Sequence, residues 1–171
     1  RPDTAWVRGV NSHLPAAVAV LWSRPVGDDF HARFAAVQRH YTYVLMNRPV
    51  RPALEAGRVG WYHRPLDADR MRAALEPVVG THDFSAFRAA ECQARSPVKT
   101  LARAAVRADA DILRFDFSAD AFLHHMIRNL VGALVYVGAG KHDDAWMYAL
   151  LAARDRRVAP PTFSADGLYF T

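Results

Sequence analysis

A single cysteine, Cys92, rules out an internal disulfide and any zinc site built from cysteines. That usage suits a reducing compartment, and a cytoplasmic protein is expected. Lysine is nearly missing: of 22 basic residues only Lys99 and Lys141 are lysines, and the rest are arginine. No apolar run is long enough to span a bilayer, because the longest, 123–137, is interrupted by His124, His125, Arg128 and Asn129. A membrane partner is therefore not expected. Neither kind of Gly-rich phosphate loop occurs, and there is no Gly-x-Ser-x-Gly elbow. The chain opens with Arg-Pro-Asp-Thr rather than a basic start and an apolar run, so no signal peptide is expected. It does not open with Met, which suggests a piece of something longer.

What is present is a chain of 171 residues, 51% hydrophobic and 23% charged, enough for one globular domain with a sizeable core. Its formal charge is +5, which suits a nucleic-acid partner, because arginine forks onto phosphate and releases counterions. A genome rich in arginine and alanine codons would give the same composition without RNA.

The pattern reads as a mixed α and β chain. A buried strand is expected at 17–22 (Ala-Val-Ala-Val-Leu-Trp), and a second at 39–46, with Tyr41, Tyr43 and Leu45 on one face. Pro49, Pro52, Gly57 and Gly60 mark a loop. Asp67 caps a helix with Met71, Ala74, Leu75 and Val78 inward. Residues 81–98 read as irregular, anchored by Phe84 and Phe87. Strands follow near 100–107 and 111–118, with Leu113, Phe115 and Phe117 on one face. A long helix is expected over 121–138, another after Asp143 or Asp144, and a short last strand at 167–171. The expected class is α+β: a mainly antiparallel sheet with helices packed on one face.

Two chemistries are weak. His124 and His125, placed next to each other on a helix, would point about 100° apart and could not chelate one metal. The Asp-Asp pair at 143–144 falls where a helix start needs acids, and the pair at 28–29 falls in a loop of mixed charge. No metal is expected.

Four features are odd on structural grounds. Arg128 is the only ionised residue between 121 and 136, and a buried guanidinium needs a carboxylate or phosphate partner unless it snorkels to water. The stretch 28–34, Asp-Asp-Phe-His-Ala-Arg-Phe, mixes aromatics with His31 and Arg33, as an RNA contact or an amphipathic connector would. Tyr41 follows Arg39 and His40 and is either a stacking platform or a core residue. Leu168, between Gly167 and Tyr169, would ordinarily be a core strand residue.

Six segments carry a resemblance. Asn-Ser-His-Leu-Pro at 11–15, residues 28–34, Arg-His-Tyr-Thr-Tyr at 39–43, Thr-His-Asp-Phe-Ser-Ala-Phe-Arg-Ala at 81–89, Phe-Leu-His-His-Met-Ile-Arg-Asn-Leu-Val-Gly at 122–132 and Asp-Gly-Leu-Tyr-Phe at 166–170 resemble the TruA family of tRNA pseudouridine synthases, in its order and spacing. The resemblance covers essentially the whole chain and is most specific at 122–132. It implies isomerisation of uridine to pseudouridine at positions 38 to 40 of the tRNA anticodon stem-loop, without a cofactor, by a homodimer with tRNA across both subunits. The implied fold is the second half of a pseudouridine synthase sheet.

The same resemblance implies roles. Tyr41 matches the tyrosine that packs on the target base. Arg128 matches the arginine that pairs with the catalytic aspartate. Leu168 matches the apolar residue lining the uracil pocket, and His31 and Arg33 lie in a segment near the cleft. The family's Arg-Thr-Asp-Ala-Gly-Val-His motif is missing from these residues, so the chain is expected to supply pocket walls and RNA-binding surface but no nucleophilic aspartate. The alternatives are a non-catalytic RNA-binding module, or an interaction protein whose apolar helices bind another chain.

Overall fold

A computed structural model describes residues 3–32 and 34–171. The chain divides into two units, residues 1–36 and 37–171.

In the first unit a helix, α1 (Asp3–Asn11), is followed by extended chain and turns. The strand expected at 17–22 does not form. The Asn11 amide takes both backbone groups of Val20, donating to its carbonyl at 2.8 Å and accepting from its N–H at 2.7 Å. A strand needs a neighbouring edge for those groups; here one side chain supplies the partner. Leu21 and Trp22 are 85% and 71% exposed, so the apolar run is not a buried one either. Periodicity cannot separate such a run from a core strand.

The second unit is built on a six-stranded sheet. Its strands are β1 (Arg39–Asn47), β2 (Gly60–Tyr62), β3 (Gly80–Asp83), β4 (Val98–Asp109), β5 (Ile112–Ala119) and β6 (Leu168–Phe170). The order is β2-β1-β5-β4-β3, with β6 also paired to β1. All pairings are antiparallel except β1 with β2. On one edge of β1, β6 covers 41–43 and β2 covers 45–47. Gly167 sits where the two meet: a Cβ there would lie 2.2 Å from the Val44 carbonyl and 2.7 Å from the Gly60 nitrogen, so only glycine fits.

Alternation along the strands separates the two faces of the sheet. Tyr43 and Leu45 of β1, Leu101 and Val106 of β4, and Leu113, Phe115 and Phe117 of β5 are buried in one apolar core. The helices α2 (Ala68–Leu75), α3 (Met126–Gly138) and α4 (Trp146–Ala153) contribute to the same core. The opposite face carries the polar row Thr42, Arg114 and Asp116, in which Asp116 accepts from the Thr42 hydroxyl at 2.7 Å and from Arg114 at 3.0 Å. The α+β class is thus met.

Local signals explain the helices. Asp67 caps α2, accepting from the N–H groups of Asp69 and Arg70. Asp143 accepts from the N–H of Trp146 at the start of α4. In α3 every side chain but Arg128 and Tyr136 is buried, which marks a helix surrounded by core. No helix among the described residues is long and apolar enough to cross a membrane.

Two further expectations need correction. Residues 80–83 form the strand β3 rather than irregular chain, held to the end of β4 with a hydroxyl pair, Thr81 to Thr100, at 2.9 Å. Its polar four-residue sequence carries no strand pattern. The long helix begins at Met126 rather than 121. The N–H of His124 bonds to the Cys92 sulfur, and its carbonyl accepts from Ala89, so these groups serve a neighbouring loop instead of a helix. His125 takes a left-handed conformation, φ 60°, and turns the chain into α3.

Candidate active site

The sheet and α3 bring three of the sequence-chosen residues to one cavity. Tyr41 lies on β1 opposite Phe117 of β5 and Phe170 of β6. It points to the same side as Tyr43, but two residues nearer the end of the core, and is half-buried. Arg128 sits in the first turn of α3, and Leu168 is the first residue of β6. Together with Phe122, Leu123, His124, His125, Met126, Ile127 and Ala165 they line a cavity of about 390 Å³. That lies within the ~300–1,000 Å³ typical of small-ligand pockets.

Tyr41 is held by rings. Phe122 meets it edge to face with centroids 5.3 Å apart, and Phe170 does so at 5.2 Å. Such pairs fix a ring's plane as well as its position. Phe170 is itself largely exposed.

Arg128 is half-buried, and its Nε donates to the Phe163 carbonyl at 2.7 Å. The guanidinium therefore has a protein partner, though not the carboxylate or phosphate that the sequence called for. That partner is neutral. Among the described residues no carboxylate lies within ion-pair distance of Arg128. A cation on an otherwise mostly apolar wall, with a carbonyl on one edge, retains donors for an anion.

His124 and His125 do not point apart, because they precede the helix: their rings lie side by side with centroids 3.9 Å apart. Burial, then the neighbouring His124 and Arg128, pull the His125 pKa below its usual value, so the imidazole is neutral near pH 7. Among the described residues no group of three or more His, Cys, Asp or Glu gathers as metal ligands would.

Beneath the cavity, Tyr43 donates to the Ser164 carbonyl at 2.8 Å. Burial pushes its phenol well above the usual tyrosine range, against a smaller opposite pull from Arg128, so it stays neutral. Ser164 adjoins the Ala165–Leu168 wall, which is thereby tied to the core.

His31 lies in the first unit, in a turn where its Nδ1 accepts from the Phe34 N–H at 3.2 Å and its ring lies 4.3 Å from the Phe34 ring. Arg33 lies outside the described residues.

Sequence reasoning passed over Asn129, which is 0% exposed. Its amide donates to the Phe87 carbonyl at 2.7 Å, while its Oδ1 accepts from Thr162 at 2.7 Å and from Arg156 at 3.2 Å. An amide within an otherwise apolar helix was the available signal.

Comparison with known proteins bears on this arrangement. A family profile described as tRNA pseudouridine synthase matches residues 74–171, which include Arg128 and Leu168. The chain is 64% identical over 171 residues to a tRNA pseudouridine synthase A of Thiobacillus denitrificans, covering 100% of this chain and 66% of that protein. It is 61% identical over 170 residues to the protein of that name from Dechloromonas aromatica, covering 99% of this chain and 65% of that one. For Chromobacterium violaceum the figures are 61% over 171 residues, 100% and 65%. The chain thus spans about 65% of the length of these curated relatives. With more than half its residues under the family profile and its whole length aligned to such relatives, the chain belongs to the tRNA pseudouridine synthase family.

Proposed function

We propose that the protein to which these residues belong isomerises uridine to pseudouridine at positions 38 to 40 in the anticodon stem-loop of tRNA. The observation that carries this reading is the convergence on one cavity of Tyr41, Leu168 and Arg128, which has no carboxylate within ion-pair distance among the described residues. The similar proteins named tRNA pseudouridine synthase A support the reaction and the substrate.

The chemistry follows from what those residues can do. The target base must leave its stack, at a cost of a few kcal/mol. Stacking on the Tyr41 ring offsets about 1–3 kcal/mol of that. Leu168 closes an apolar wall over the uracil. The glycosidic C–N bond then breaks, the uracil turns, and its C5 bonds to the anomeric carbon; the C5 proton leaves and N1 takes one up. A carboxylate must act at the sugar, as nucleophile or base. Arg128 holds that carboxylate ionised in a closed site, through charge-assisted hydrogen bonds about twice as strong as neutral ones. The carboxylate belongs to an Arg-Thr-Asp-type segment outside these 171 residues. His31 and Arg33 add RNA contacts. The likeness to the family also supports a cytoplasmic homodimer that needs no cofactor.

The test is release of tritium from C5-labelled uridine in tRNA. The full-length protein should release it, and Arg128→Ala in that protein should not. Binding of tRNA with no release by the unaltered full-length protein would leave only an RNA-binding module and would sink the enzymatic reading.

A further inference from the structure

Asn129, Arg156 and Thr162 form a polar cluster that the reaction does not use directly, and its geometry ends at the Arg128 guanidinium. Arg156 donates to Asn129 Oδ1, to the Thr162 hydroxyl and to the Ala159 carbonyl, each at 3.2 Å, while Thr162 donates to the same Asn129 oxygen at 2.7 Å. No buried side-chain nitrogen or oxygen among the described residues is left without a partner. The cluster therefore ties segment 156–162 to α3, with the buried Asn129 amide engaged at both its oxygen and its nitrogen. One residue further on, Phe163 meets Arg128 twice: its carbonyl accepts from Nε at 2.7 Å, and its N–H bonds to the Arg128 carbonyl at 3.4 Å. Close approach is possible because position 132 is glycine: a Cβ there would lie 2.9 Å from the Pro161 carbonyl.

We propose that Asn129, Thr162 and Arg156 are positioning residues, a clasp on α3 that sets the Phe163 carbonyl against Arg128 and so aims the guanidinium into the Tyr41–Leu168 cavity. This rests on the pseudouridine synthase reading for its catalytic consequence and on geometry alone for its structural one. Arginine has long freedom of rotation, and a fixed carbonyl on Nε leaves the terminal nitrogens facing one direction. The same segment runs on to Ala165 and Leu168, so the opposite wall of the cavity is set by the same anchor. Of the three only Asn129 is wholly buried, and an arrangement that withdrew Thr162 and Arg156 would leave its Oδ1 unpaired.

Asn129 is wholly buried, so Asn129→Ala would disturb the core as well as the clasp. The informative position is Thr162, which is only partly buried. In the full-length protein, Thr162→Val removes the hydroxyl with little change of shape, and Thr162→Ser restores it. Three quantities are measured: amide hydrogen exchange, tRNA affinity, and the single-turnover rate of tritium release at saturating protein. In Thr162→Val, exchange at Phe163 and Leu168 should accelerate while β4 and β5 stay protected. The single-turnover rate should fall about 10-fold to 100-fold, the effect expected of a misplacement near 1 Å, and more protein should not recover it. tRNA affinity should stay within about twofold, because phosphate contacts dominate it. Thr162→Ser should restore both exchange and rate. Unchanged exchange at Phe163, acceleration throughout β4 and β5, or failure of Thr162→Ser to rescue would each overturn the clasp. If the unaltered full-length protein releases no tritium, the functional reading fails instead, and the exchange pattern alone decides the clasp.

Discussion

Gly167 and Tyr41 show two different demands that single positions place on this cavity. At Gly167 the demand is space. Its carbonyl accepts from the Val44 N–H at 2.8 Å, and a methyl group would collide with backbone on two strands. Backbone cannot swing aside as a side-chain end can, so Gly167→Ala should destabilise the 37–171 unit by at least the ~1–3 kcal/mol of ordinary overpacking. The urea midpoint measures this, and an unchanged midpoint would mean the strands part more easily than their pairing suggests. At Tyr41 the demand, on the proposed function, is to stack on the target base. In the full-length protein, Tyr41→Ala should leave tRNA affinity almost unchanged, since one stacking contact is lost among many phosphate contacts. The rate of isomerisation should fall by about 10-fold to 100-fold, matching a stack of roughly 1–3 kcal/mol. Full turnover by that variant would reduce Tyr41 to a core residue packed by Phe122 and Phe170.

At the scale of elements, the sheet is joined across its polar face by Asp116. Burial tends to raise its pKa, but the Thr42 hydroxyl, Arg114 and Arg107 outweigh that and hold it below the usual carboxylate value. A group whose folded pKa is depressed stabilises the fold above its unfolded pKa of about 3.9, and that contribution is lost as pH falls through the lower folded value. Stability should therefore decline in acid below about pH 4, and Asp116→Asn should flatten the decline. Urea melts of both proteins at pH 6 and pH 3 check it; parallel acid losses would show that Asp116 is not involved. These elements also mark what the sequence could reveal. The β4–β5 hairpin and α2 were legible because alternation, the Asp67 cap and the apolar stripe act locally. β2, β3 and the true start of α3 were not, because they depend on partners distant in sequence: Asn47 and Leu45 for β2, the end of β4 for β3, Cys92 and Ala89 for His124. Arg128 was legible as a lone charge in an apolar helix, whereas Phe163 offers only a carbonyl, which no side-chain pattern discloses.

For the whole molecule, charge and catalysis should separate. The 171 residues carry a formal charge of +5 and a sequence pI of about 9.8, and nearly all of the positive charge is arginine. Arginine keeps its charge at any working pH and contacts phosphate with two donors at once. Each phosphate neutralised releases condensed counterions, adding about −0.7 to −0.9 to the slope of log affinity against log salt. The 171-residue chain should therefore bind a tRNA anticodon stem-loop with a slope of about −3 or steeper, the signature of four or more such contacts. The same preparation should release no tritium from C5-labelled uridine, because Arg128 lines the cavity bonded to the Phe163 carbonyl, with no carboxylate within ion-pair distance among the described residues. Binding with a steep salt slope and no turnover is the outcome expected of a chain that holds pocket walls and RNA-binding surface without the acting acid. A flat salt response would remove the electrostatic case for RNA and favour a protein partner for the apolar helices. Turnover by the 171 residues alone would mean that one of their own carboxylates reaches the sugar, and Asp166 would be the first to substitute, since it lies in sequence between the wall residues Ala165 and Leu168.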